Sequence, residues 1–267
     1  MPVRLALITV IAAATAALVT TVVAQPPEFM AWRIDGERRR AIVHAPTATM
    51  ESGTVPLIFS FHGRGDSMEN FQYTDMHRAW PEALVVYFQG LPSLRNGLAG
   101  WQVEKGRDGD RDLKLVDAAL ASLRDTFRID ETRIYATGFS NGAGFAYLLW
   151  AERPGVFAAY APVGGRRAAS VRLTQPKPLI HIVGERDRGM FAARKDDVEA
   201  ARRVDGVTGA GEPCGEGCTI YGAASPTPVM TWVHPGGHQY PDGTSERIAA
   251  FFRDHPSSAP SSTVPAP

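Results

Sequence analysis

Arg133-Ile-Tyr-Ala-Thr-Gly-Phe-Ser-Asn-Gly-Ala-Gly-Phe-Ala-Tyr-Leu-Leu-Trp150 runs from a strand pattern, through Gly138-Phe139-Ser140-Asn141-Gly142, into a helix pattern. A serine on a sharp strand-to-helix turn is held clear of the surrounding chain. Such a turn leaves room only for very small side chains on either side of the serine. Gly138 and Gly142 meet that demand, and Ala143 and Gly144 carry it into the first helical turn. Two glycines and a serine at this spacing are weak on their own. The context makes the motif specific: Ile134, Tyr135 and Ala136 precede it, and Phe145, Leu148 and Leu149 follow at helical spacing. A serine presented in this way needs a base beside it and backbone N–H groups able to receive an oxyanion.

Working outward, Pro56-Leu-Ile-Phe-Ser-Phe61, Ala83-Leu-Val-Val-Tyr-Phe88, Val156-Phe-Ala-Ala-Tyr-Ala161, Pro178-Leu-Ile-His-Ile-Val183 and Pro228-Val-Met-Thr-Trp-Val233 are short apolar runs. Such runs mark strands buried on both faces of a parallel sheet. Helices are expected from about Met68 to Trp80, over Asp112 to Phe127, where Val116, Leu120, Leu123 and Phe127 share a face, and over Thr244 to Phe252. The alternation predicts an α/β protein with a mainly parallel, doubly wound sheet and helices on both faces. Ala31 to Pro46 reads as an edge hairpin turning at Asp35-Gly36. The triplet Arg38-Arg39-Arg40 is expected on a solvated face. Residues 89–111 form a long Gly-rich loop able to wall a pocket, in which Trp101 either stacks on substrate or plugs the loop's own small core.

With 267 residues and 44% apolar content, one large domain fits better than two small ones. Acidic and basic residues balance at 28 each, so no net field points to nucleic acid or an anionic membrane as the partner. Residues 1–24 have the order of a signal peptide: Arg4, an apolar stretch from Leu5 to Val23, and small residues before Gln25. Cleavage after Ala24 and export to the periplasm or outside are expected, with an uncleaved anchor as the competing reading. Export makes Cys214 and Cys218 a disulfide pair closing a short surface loop, worth about 2 kcal/mol. A zinc site there would need further ligands, for which His234 and His238 are the nearby candidates. The domain is expected to run over 25–255, followed by a Pro/Ser tail over 256–267 with no means of packing.

A serine hydrolase on such a sheet needs an acid and then a histidine after the serine, each on a loop at the carboxyl end of a strand. Asp187 directly follows the strand ending at Val183, and His238 follows the one ending at Val233. The expected roles are nucleophile for Ser140, general base and then acid for His238, and orientation of the imidazole for Asp187. Glu185 rivals Asp187, and His234 rivals His238. The N–H of Asn141 and that of Arg64 or Gly63, in His62-Gly63-Arg64-Gly65-Asp66, are expected to form the oxyanion hole. His62 is expected to brace that loop.

These stretches resemble the secreted α/β-hydrolases of the polyhydroxybutyrate depolymerase and feruloyl esterase group. The resemblance rests on Leu57-Ile-Phe-Ser-Phe-His-Gly63, Gly138-Phe-Ser-Asn-Gly-Ala143, Gly184 to Asp187 and Gly236-Gly-His-Gln-Tyr-Pro241, and spans roughly residues 30–254. It implies the α/β-hydrolase fold and cleavage of carboxylic esters, of a polyester or of feruloyl groups on polysaccharide, without cofactor or metal. Two departures bear on substrate. Many relatives carry a cysteine where Arg64 stands, and commonly a tryptophan where Tyr240 stands, which alters the pocket rim. No polymer-binding domain follows residue 255 in this sequence, so a soluble ester is the more comfortable substrate. A serine peptidase of the same fold and a non-catalytic binding protein are the readings from other classes.

Overall fold

The apolar runs pair side by side into one twisted sheet. A computed structural model of the chain describes residues 27–46, 53–93 and 96–261. The expected leader over 1–24 and the tail beyond residue 261 lie outside the described residues. The strands are β1 (Glu28–Ile34), β2 (Glu37–His44), β3 (Val55–Phe61), β4 (Leu84–Phe88), β5 (Leu91–Pro92), β6 (Ala99–Gly100), β7 (Ile129–Phe139), β8 (Ala159–Val163), β9 (Leu179–Gly184), β10 (Glu212–Pro213), β11 (Cys218–Tyr221) and β12 (Val229–His234). The α-helices are α1 (Met68–Phe71), α2 (Met76–Ala79), α3 (Arg111–Thr126), α4 (Asn141–Glu152), α5 (Arg188–Val204) and α6 (Thr244–Asp254).

Ten strands lie in the order β1-β2-β4-β3-β7-β8-β9-β12-β11-β10. Those from β4 to β12 run parallel, and the ribbons β1–β2 and β11–β10 are antiparallel extensions at the two edges. Alternation along each strand divides the apolar side chains between two faces. Leu57, Phe59 and Phe61 of β3 join α3 and α4 in one core, while Ile58 joins α1, α2 and α6 in the other. Because both faces are covered, every residue of β3 and β4 is buried, which is why those runs are continuously apolar. The β1–β2 turn has Asp35 and Gly36 both at positive φ, 49° and 85°, as a two-residue hairpin of this chemistry demands.

Several local expectations need correction. The helix anticipated from Met68 to Trp80 is broken into α1, a 3-10 turn over Gln72–Thr74, and α2, because Asp75 takes a left-handed conformation. Helix α5 and the edge strands β10 and β11 were not anticipated. Only Val198, Ala201 and the acid Asp197 are buried along α5, so it presents few apolar residues to the core. Cys214 and Cys218 form a disulfide that closes the turn between β10 and β11. The tail is not loose over its described part, since the N–H groups of Ser257 and Ser261 donate to the carbonyls of Thr132 and Glu131.

Arg39 is also corrected. It is 1% exposed, whereas Arg38 and Arg40 face solvent on the other side of β2. Its guanidinium donates to Asp112 at 2.8 Å, and the second carboxylate oxygen of Asp112 accepts from the N–H of Gln102 at 2.7 Å. This buried pair ties β2 to the start of α3 and to the loop carrying Trp101. A buried charge that loses its partner costs far more than the pair contributes. Asp112→Ala is therefore expected to lower stability by about 3–5 kcal/mol, while Arg39→Met with Asp112→Leu recovers most of the loss. Equilibrium urea unfolding checks this, and a single substitution as mild as the double one would refute it.

Candidate active site

Ser140 stands at the end of β7 with φ 56° and ψ −109°, a conformation uncommon for a residue with a Cβ. Strain of this kind persists only where the surroundings dictate it. Here the N–H of Ser140 donates to the carbonyl of Val163 on β8 at 2.8 Å, and its own carbonyl accepts from Gly144 at 3.2 Å. Gly138 and Gly142 face each other across the turn, and a Cβ on Gly138 would come within 2.5 Å of the Gly142 carbonyl carbon.

The structure brings His238 and Asp187 to this serine. His238 Nε2 lies 2.9 Å from Ser140 Oγ, and Nδ1 lies 2.5 Å from Asp187 Oδ2. A carboxylate only accepts, so Nδ1 carries the proton and Nε2 is left to accept from the serine hydroxyl. Two loops are stitched together to hold this arrangement. The N–H of Glu185 donates to His234 and that of Arg186 to Gly236, at 2.8 and 2.9 Å. Only glycine fits at 184, since a Cβ there would overlap the carbonyl oxygens of Gly236 and Gly237. Phe139 packs on the imidazole of His238 at 5.0 Å. His234 is the last residue of β12, 3% exposed, with Nδ1 accepting from the N–H of Gly236. Glu185 has no contact with either histidine ring among the described hydrogen bonds and ion pairs.

The N–H groups of Arg64 and Asn141 make no hydrogen bond among the described residues, and both residues line the same cavity as Ser140. Asn141 opens α4, where first-turn amides have no partner within the helix. The Arg64 amide is oriented by its neighbour. His62 Nε2 accepts from the N–H of Gly90 at 2.9 Å, so Nδ1 is protonated and donates to the Gly63 carbonyl at 2.6 Å. That carbonyl and the Arg64 N–H belong to one peptide plane, so the imidazole fixes both. Burial lowers the pKa of His62, which keeps the ring neutral and this pattern intact.

Of the two residues expected to touch substrate, Trp101 lines the second cavity but is held mainly by the protein itself, and Tyr240 lies elsewhere. Trp101 is 6% exposed, stacks on Phe145 at 5.6 Å and donates from Nε1 to the His62 carbonyl at 2.9 Å. Its ring therefore plugs the 89–111 loop. The Asn141 side chain clamps that loop, accepting from the Trp101 N–H at 2.7 Å and donating to the Trp101 carbonyl at 3.0 Å. Tyr240, expected at the rim, packs its ring on Phe71 and Phe139, with its hydroxyl 2.9 Å from Ser245 Oγ. It stands behind His238 and lines neither of the cavities beside Ser140. Sequence reading missed the cavity's far wall. This wall is built by Arg166 and Arg167 after β8 and by Met190, Ala193 and Asp197 of α5. Cys214 and Cys218 are bonded to each other, and among the described residues no group of three His, Cys, Asp or Glu side chains could hold a metal ion.

A mainly parallel sheet with a serine on the β7–α4 turn, an acid after β9 and a histidine after β12 defines an α/β-hydrolase. Solved structures of this fold superpose on it. The acetyl xylan esterase from Aspergillus awamori does so with a TM-score of 0.63 over 85% of this chain and 99% of that one, at 13% identity. The Bacillus cereus carboxylesterase does so at 0.60 over 81% and 94%, at 16% identity. No family model matches the chain. Its sequence is 29% identical over 254 residues to NocK, a candidate esterase of Nocardia uniformis subsp. tsuyamanensis, covering 79% of this chain and 73% of that protein. It is 32% identical over 130 residues to feruloyl esterase C of Emericella nidulans, covering 48% and 46%. With the bifunctional acetylxylan esterase/xylanase XynS20E of Neocallimastix patriciarum it shares 29% over 159 residues, covering 58% and 22%. The chain thus spans most of NocK and less than half of the other two. Its fold is that of the α/β-hydrolases, and its sequence is similar to those of proteins named as esterases. The names these relatives carry are those of esterases, and polyester depolymerase is not one of them.

Proposed function

We propose that the chain is an exported serine esterase that cleaves soluble phenolic or acetyl esters through an acyl-Ser140 intermediate. The observation that carries this reading is the unbroken hydrogen-bond relay from Asp187 through His238 to Ser140. His238 Nε2 takes the hydroxyl proton as Oγ attacks the ester carbonyl. The oxyanion that forms is received by the N–H groups of Arg64 and Asn141, each such donor being worth about 10²–10³ in rate. His238 then gives the proton to the departing alcohol oxygen, and the acyl group stays on Ser140. Water enters, loses a proton to His238 and attacks the acyl carbon, and His238 returns that proton to Ser140 Oγ as the carboxylic acid leaves. Asp187 stabilises the imidazolium at both stages. The Cys214–Cys218 bond supports export, since disulfides persist in oxidising compartments.

Short p-nitrophenyl esters and methyl ferulate are expected to be turned over, with the matched p-nitroanilides left intact. A fluorophosphonate is expected to label Ser140 and no other residue. Preferential amide cleavage would favour a peptidase, and intact esters with no labelling would favour a binding role.

A further inference from the structure

Ser140 opens onto a cavity of about 660 Å³, and a second cavity of about 410 Å³ shares Arg64, Val103 and Asn141 with it. The strand order places Arg64 and Arg166 on opposite sides of the nucleophile. Arg64 follows β3 and Arg166 lies just beyond β8, while β7 between them delivers Ser140. Both arginines line the larger cavity, and neither guanidinium has a hydrogen bond or a direct ion pair among the described residues. The other charges on that cavity are mostly committed. Glu104 pairs with Arg107 and accepts from Ser170. Arg167 lies 3.7 Å from Asp197 and donates to the Val171 carbonyl. Asp197 is 2% exposed, burial raises its pKa to about 6, and it interacts with the charges of Arg167 and, more weakly, Arg166. Asp196 is the remaining acid on the cavity, and it has no ion pair. Arg64 and Arg166 thus stand on either side of the reacting serine with no direct hydrogen-bonded partner, Arg166 feeling only the more distant charge of Asp197.

Resting on the serine-esterase reading, we infer that the substrate carries a carboxylate close to the scissile ester, received by Arg64 or Arg166. A guanidinium presents a planar fork of donors that fits a carboxylate. The carboxylate could sit on the acyl side, as in a half-ester of a dicarboxylic acid, or on the alcohol side, as in an acylated hydroxy acid. Because the two cations flank Ser140, each side of the ester meets one of them.

Two matched pairs test the inference. On the acyl side, 4-nitrophenyl hydrogen adipate is compared with 4-nitrophenyl hexanoate. On the alcohol side, 4-acetoxybenzoate is compared with its methyl ester. Each rate is divided by that ester's alkaline hydrolysis rate. The carboxylated member of at least one pair is expected to have a kcat/KM about ten-fold higher, the scale of one charge-assisted hydrogen bond. That preference should shrink as salt rises, because the guanidinium groups are exposed. Arg166→Gln or Arg64→Gln should abolish it, and the matching Lys variant should restore part of it. Equal rates within both pairs, or a preference untouched by both Gln variants, would overturn the inference while leaving the esterase standing. Inertness toward all four esters together with absent fluorophosphonate labelling would remove the serine reading itself, and the inference with it.

Discussion

Ser140→Ala is expected to lower kcat on a p-nitrophenyl ester by about 10⁶-fold while leaving the melting temperature within about 2 °C of the parent. The kinetic expectation follows from the relay. Without Oγ there is no acyl acceptor, and His238 alone supplies only a poorly placed base for water. Residual turnover of about 10³–10⁴ over the uncatalysed rate should remain from the oxyanion donors and from binding. The stability expectation follows from the backbone. Alanine keeps the same Cβ at φ 56°, so the strain of the turn is unchanged, and the hydrogen bond lost is the one to the half-exposed His238. Steady-state kinetics and thermal unfolding measure the two arms. Retained turnover would point to another nucleophile, and loss of cooperative unfolding would make the turn an element of the core.

The second large effect falls on Gly142. A Cβ there would overlap the carbonyl oxygen of Phe61 and lie 2.7 and 2.8 Å from the Phe61 carbonyl carbon and the His62 oxygen. These atoms belong to backbone that cannot yield cheaply, since Phe61 pairs with Gly138 in the middle of the sheet. Gly142→Ala is expected to cost roughly 3 kcal/mol or more, lowering the melting temperature by about 6–12 °C. It should also disable whatever enzyme still folds, because the α4 amide and the Gly63–Arg64 peptide would be pushed apart. Gly189→Ala in α5 is the control. Nothing lies within 4 Å of the added methyl, so the change should be neutral or stabilising by up to about 1 kcal/mol. Equal melting temperatures for the two variants would show that contact at the elbow does not limit side-chain size.

The elbow and the order of serine, acid and histidine were legible because each residue follows directly on an apolar strand, and strand ends are where this sheet carries its loops. The preference for Asp187 over Glu185 and for His238 over His234 came from position after the strands, and the structure brings these two to the serine. The phase of β12 turns His234 into the interior, and only the longer reach through Gly236 and Gly237 brings an imidazole to Ser140. Arg39 was misjudged because a run of like charges looks solvated, while its partner Asp112 lies 73 residues away. Asn141 showed its main-chain position in the sequence but not its side-chain clamp on Trp101, a pairing set by loop packing alone. The far wall of the cavity was hidden for a related reason. Helix α5 is predominantly polar, with only Val198 and Ala201 buried among its apolar residues, so no apolar run marks it in the sequence.

The tail's contact with Glu131 and Thr132 has a practical side. Those residues begin β7, and Ser140 lies beyond its far end. At about 3.3 Å per residue, Thr132 and Ser140 are separated by roughly 26 Å along the strand. Residue 261 therefore sits at the opposite end of the sheet from the catalytic mouth. A resin, an electrode or a fused carbohydrate-binding module tethered beyond that point would leave the cavities open to bulk solution, whereas a tether in the 89–111 loop would crowd them.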